Sequence, residues 1–112
     1  MKILVTGATG FVGNHVMQQL LQSKHEIIAS AMHRNLQQTW SGKVRFVAYD
    51  LYQQRENPYV FFDQPDILIH LAWDHLDNFS SDLHIQKTLP VHKAFINALI
   101  AGGLKRIVVA GT

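Results

Sequence analysis

The chain has 112 residues, 47% of them hydrophobic, enough to bury the core of one domain. Ten Lys and Arg against eight Asp and Glu leave a formal charge of +2, too slight and too scattered to argue for a nucleic-acid or membrane surface. Cysteine is absent, which excludes both a disulfide framework and a Cys-based zinc site.

The apolar start MKILV is interrupted by Thr6, Gly7, Gly10, Asn14 and His15 before it reaches the length of an export signal. No apolar run approaches the ~20 residues of a membrane helix. A soluble, cytoplasmic protein is expected. KILVT (2–6) is short and rich in branched residues, the pattern of a strand buried on both faces of a parallel sheet. A helix is predicted from Phe11 to Ser23: Val12, Val16 and Leu20 form its apolar stripe, Met17 and Leu21 flank it, and Asn14, Gln18, Gln19 and Gln22 face water.

EIIASAM (26–32) and KVRFVAY (43–49) read as the second and third strands. A short helix is expected around Tyr59–Phe62, and PDILIHLAW (65–73) gives a fourth strand entered through Pro65 and Asp66. The stretch 80–102 is the longest helical candidate, with Val91, Phe95, Ala98 and Gly102 at helical spacing and Ser80, Ser81 and Asp82 available to cap it. Pro90 either kinks a long helix or sits in the first turn of a shorter one. Gly102–Gly103 ends the helix, and KRIVVAG (105–111) supplies a fifth strand. Strands alternating with helices at this pitch imply an α/β doubly wound parallel sheet in the order 3-2-1-4-5, covering residues 1–112 as one domain.

TGATGFVG (6–13) carries glycines at 7, 10 and 13 between the first strand and the first helix. Such a turn points free backbone N–H groups at one spot, backed by the positive end of the helix dipole, and so favours an anion. Gly7 permits the tight turn, Gly10 lets a diphosphate approach the backbone, and Gly13 lets the helix lie close on the sheet. The absence of Gly-Lys-Ser/Thr excludes a phosphate loop of the ATPase type.

The spacing GxxGxxG, with VAYDL (47–51), DILIHLAW (66–73) and GLKRIVVAGT (103–112) following in order, resembles the extended short-chain dehydrogenase/reductase family. More narrowly, it resembles that family's NAD-dependent epimerase/dehydratase group, which works on nucleotide-activated sugars. The resemblance implies a Rossmann-like fold and a cofactor lined by Gly7, Thr9, Gly10, Phe11, Val12 and Gly13 on the loop. Asp50 and Leu51 would flank the adenine, the Asp50 carboxylate accepting from its amino group. Leu71, Ala72 and Trp73 would lie along the cofactor toward the nicotinamide.

An NAD site usually places an acidic residue at the end of the second strand to hold the ribose hydroxyls, and none occurs between Glu26 and Asp50. His33 and Arg34 stand there instead, where a guanidinium can take a 2′-phosphate, so NADP is expected ahead of NAD.

The family's acid/base couple is a Tyr with a Lys four residues later. Tyr49, Tyr52 and Tyr59 are followed at that spacing by Gln53, Glu56 and Asp63. Thr112 matches the family's Ser/Thr that hydrogen-bonds the reacting oxygen, and the family's Asn near the start of the last helix has only Lys87 and Thr88 as counterparts. The chain therefore reads as a truncated cofactor-binding portion of a sugar-nucleotide epimerase, dehydratase or reductase, inactive alone. The alternative is an NADP-sensing or protein-interaction module without catalysis. The seven histidines show no HExxH arrangement, so no metal site is expected. An exposed last strand predicts self-association.

Overall fold

The computed structural model describes residues 1–32, 44–51, 57–72 and 89–109. In chain order the elements are β1 (Lys2–Thr6), α1 (Phe11–Leu20), β2 (Glu26–Ala31), β3 (Arg45–Ala48), α2 (Pro58–Phe61), β4 (Ile67–His70), α3 (Leu89–Gly102) and β5 (Arg106–Val109). The five strands form one sheet in the order β3-β2-β1-β4-β5, all neighbours parallel, as the alternation of elements predicts. β1 lies at its centre, and every strand delivers its C-terminal end to one edge. The N-terminal edge is tied by Asp66, whose carboxylate accepts from the Lys2 backbone N–H at 2.9 Å, and by Lys2 Nζ, 2.8 Å from the Asp63 carboxylate.

Alternation along the strands divides the core between the two faces of the sheet. Leu4, Ile28 and Leu68 point toward α2 and α3, where Phe62, Phe95, Leu99 and Tyr49 close over them. Ile3, Val5, Ile27 and Ala29 point the other way, onto Met17 of α1.

Two helices are rotated from the expected stripes. On α1 the buried residues are Gly13 and Met17, while Val12 is 53% exposed. The helix lies so near the sheet at Gly13 that this glycine, and not Val12, faces the strands. On α3 the buried positions are His92, Phe95 and Leu99, with Val91 and Ala98 half-buried and Gly102 exposed. α1 also stops at Leu20, before the predicted Ser23. The chain there turns to shorter-range bonds, Gln22 N–H to the Gln19 carbonyl and Ser23 N–H to the Leu20 carbonyl, and Ser23 Oγ also donates to Leu20. At the far end α3 closes on Gly103, whose φ of 134° suits glycine. Pro90 lies in α3, and the residues before Leu89 that would tell a kinked long helix from a shorter one lie outside the described residues. The caps at 80–82 lie outside the described residues.

Candidate functional site

The site begins where β1 ends. Gly7 turns the chain with φ 65°, and the Ala8 N–H bonds back to the Ser30 carbonyl at 3.1 Å, which fixes the turn to β2. A side chain at Gly7 would lie 2.6 Å from both the Ala72 nitrogen and the Leu71 carbonyl carbon, so the loop and the end of β4 meet backbone to backbone. At Gly13 a Cβ would overlap the Gly7 carbonyl oxygen and come within 2.8 Å of Ala8 Cα. Gly7 and Gly13 are thus required by the fold of the free protein.

Gly10 differs. A Cβ there would meet only the Gly7 carbonyl oxygen, at 3.4 Å, and the residue is exposed. It is the N-cap of α1 with extended backbone, no side chain caps the helix, and no acidic residue stands in its first turn. Phe11 is 83% exposed, its ring edge-on to His15 at 4.9 Å and so folded along the helix surface. The head of α1 therefore presents backbone amides and the positive dipole end to open space, which suits a diphosphate.

Asp50 and Leu51 follow β3 at the same edge of the sheet, both half-buried, and Leu71 and Ala72 follow β4 there. β2 and β1 separate these two pairs, so they lie at this edge on either side of the glycine loop. Thr9, half-buried, lies within the loop. His33, Arg34, Trp73 and Thr112 lie outside the described residues. A cavity of about 360 Å³ lined by Leu20, Ile27, Val44 and Arg45 sits at the opposite edge and brings together none of the expected site residues. Among the described residues no His, Asp or Glu cluster could hold a metal ion, and no helix is long and apolar enough to cross a membrane.

One group of residues went unassigned in the sequence. Thr6 Oγ1 lies 2.7 Å from His70 Nδ1, and it accepts from the N–H groups of Leu71 at 3.1 Å and Ala72 at 3.3 Å. His70 Nε2 in turn lies 2.6 Å from Nδ1 of His92 on α3. Thr6, His70 and His92 are each no more than 3% exposed. Burial, with the nearby His92 second, pushes the His70 pKa down to about 4, so the ring is neutral at pH 7. Strand alternation carried the signal for the first two: Thr6 and His70 share the face of Leu4 and Leu68. His92 became legible only with the rotation of α3.

Known proteins share this fold. Across the whole chain the sequence is 27% identical to dTDP-6-deoxy-L-talose 4-dehydrogenase (NAD(+)) of Aggregatibacter actinomycetemcomitans, and it spans 42% of that relative's length. The fold superposes on the crystal structure of UDP-glucose 4-epimerase from Thermotoga maritima, with UDP-glucose, at a TM-score of 0.81 and 21% identity, covering 100% of this chain and 38% of that one. UDP-glucose 4-epimerase from Bifidobacterium longum, in complex with NAD+ and UDP, superposes at 0.76 and 18% identity, covering 100% and 37%. Residues 3–112 match the NAD dependent epimerase/dehydratase family, and the chain belongs to that family.

Proposed function

We propose that the chain is the nicotinamide-dinucleotide-binding portion of an epimerase, dehydratase or reductase acting on a nucleotide-activated sugar. The observation that carries this reading is the uncapped head of α1 above Gly10, open where a side chain would otherwise stand. The names of the relatives, with their NAD and their dTDP- and UDP-linked substrates, support it.

In this reading the Phe11 and Val12 amides donate to the diphosphate, and Gly10 leaves it room. Asp50 accepts from the adenine amino group beside Leu51, while Leu71, Ala72 and Trp73 border the path toward the nicotinamide. When bound, the nicotinamide supplies a carbon that takes up or releases hydride. His33 and Arg34 govern discrimination of the 2′-phosphate. Arg34→Ala weakening NADP(H) while sparing NAD(H) is the expected result if the guanidinium takes that phosphate; equal effects on both would assign the residue to the surface.

Within these 112 residues no Tyr is followed four positions later by Lys, so the chain alone binds and does not turn over. The family resemblance gives Thr112 the role of the hydroxyl that hydrogen-bonds the reacting oxygen. A thermal melt tests the binding: at a hundredfold excess over Kd, a dinucleotide that binds the native state adds about 2.7 kcal/mol. A melt unmoved by NAD(H) and NADP(H) alike would remove the proposal.

The β5 edge bears a further expectation. Ile107, Val108 and Val109 are 38%, 56% and 46% exposed, and among the described residues β5 pairs with β4 alone. A second copy pairing there gives a mass that grows with concentration in light scattering. A constant monomer mass would exclude it.

A further inference from the structure

We propose that His92 is a positioning residue: through His70 it orients the Thr6 hydroxyl and so holds the Leu71–Ala72 wall of the site against the glycine loop. The inference rests on the dinucleotide reading for what the wall does, but its geometry stands apart from any ligand.

The direction of the hydrogen bonds follows from counting. A hydroxyl has one proton and two lone pairs. Thr6 Oγ1 already accepts from Leu71 N–H and Ala72 N–H, so its remaining capacity toward His70 is its proton. His70 Nδ1 is therefore the acceptor at 2.7 Å and carries no hydrogen. In the neutral ring the proton then resides on Nε2, which donates to His92 Nδ1 at 2.6 Å. His92 is accordingly an acceptor at Nδ1 and carries its own proton on Nε2.

The other arrangements either set two donors face to face or crowd a third hydrogen onto Thr6 Oγ1, in a buried position where an unmade bond is costly. A protonated Nδ1 on His92 would oppose the His70 N–H. Flipping the His70 tautomer to relieve that clash would ask Thr6 Oγ1 to accept a third hydrogen, displacing Ala72 or leaving the Leu71 N–H to its second acceptor, the Thr6 carbonyl at 3.2 Å. The consequence is that a residue on α3 sets the hydrogen-bond geometry of the backbone that Gly7 touches, at 2.6 Å from the Ala72 nitrogen to a Cβ placed on Gly7. His92 does so from α3, buried, with its ring 4.9 Å from that of His70, which in turn lies 5.6 Å from Phe95.

The test uses the intact 112-residue chain with labelled histidine. Long-range nitrogen–proton spectra at pH 7.5 are expected to show His70 and His92 both protonated at Nε2; a proton on Nδ1 of either ring overturns the relay. His92→Phe removes the acceptor, whereas His92→Asn retains one near the Nδ1 position. Amide exchange at Ala72 is expected to rise about tenfold in His92→Phe, the loss of roughly one net hydrogen bond, with a smaller rise at Leu71, whose N–H also bonds the Thr6 carbonyl at 3.2 Å, and to return within twofold in His92→Asn. Unchanged exchange in a folded His92→Phe, or an equal rise in both variants, refutes the positioning role. Should His92→Phe not fold, the ring spectra of the unsubstituted chain and the exchange in His92→Asn still decide. The dinucleotide reading fails differently: if the unsubstituted chain binds neither NADH nor NADPH, the exchange and ring results stand while the purpose of the wall is lost. If both bind, affinity is expected to fall with the same rank order as exchange rises.

Discussion

Gly13 packs against the Gly7 carbonyl oxygen so closely that any side chain on Gly13 would occupy the same space. This contact seats α1 on the end of β1, and the position of the helix head above the crevice depends on it. Gly13→Ala is therefore expected to destabilise the free protein by roughly 1–3 kcal/mol, the cost of overpacking a contact whose neighbours are backbone. Denaturant unfolding measures it, and a stability within about 0.5 kcal/mol of the parent, as at an ordinary surface site, would show that the helix can shift without penalty.

Gly10→Ala separates binding from folding. With φ of −76° and only the Gly7 carbonyl oxygen, at 3.4 Å, near the added methyl, alanine fits the free protein. Stability should stay within about 0.5 kcal/mol of the parent. Dinucleotide affinity should nevertheless fall at least tenfold, roughly 1.4 kcal/mol, because the methyl stands where the diphosphate approaches. Retained affinity in a calorimetric titration would move the diphosphate away from this amide.

The strand order and the glycine loop were readable because both follow from local rules: short branched runs such as KILVT make buried strands, and a strand, three glycines and an amphipathic helix in succession make the turn. The helix faces were less legible. Val12 and Val91 fit an apolar stripe as well as Met17 and His92 do, and what selected the latter was the close seat of Gly13 and the packing of Phe95 and Leu99 on β4. The buried histidine pair was hidden for the same reason. A histidine counts as polar in a pattern of hydrophobicity, although a neutral ring such as His70, with both nitrogens engaged, packs as core.

Acid should weaken the fold through His70. Its pKa is lowered from 6.5 to about 4 by burial, and next by the adjacent His92, so the unfolded chain takes up a proton between those values that the folded chain refuses. The stabilisation is complete above the unfolded value and is lost progressively as pH falls from about 6.5 toward 4, on the order of 3 kcal/mol over that span. Urea unfolding at pH 7 and pH 4.5 checks the sign: equal midpoints would show that His70 titrates alike in both states.

Phe95 joins His70 to the aromatic core. It is fully buried, with ring centroids 5.6 Å from Tyr49 and 5.6 Å from His70. Phe95→Ala is expected to cost about 3–5 kcal/mol, a large fraction of the roughly 5–15 kcal/mol that stabilises a typical domain. A loss under about 1 kcal/mol would contradict the packing of α3 on the sheet.

Amide mapping tests the central claim most directly. Titration of the nitrogen-labelled chain with NAD+ and NADP+ should shift the backbone resonances of Gly10, Phe11 and Val12 first and furthest, with smaller changes at Asp50, Leu51 and Ala72. Saturation by either dinucleotide with the Gly10, Phe11 and Val12 amides unmoved would contradict the account.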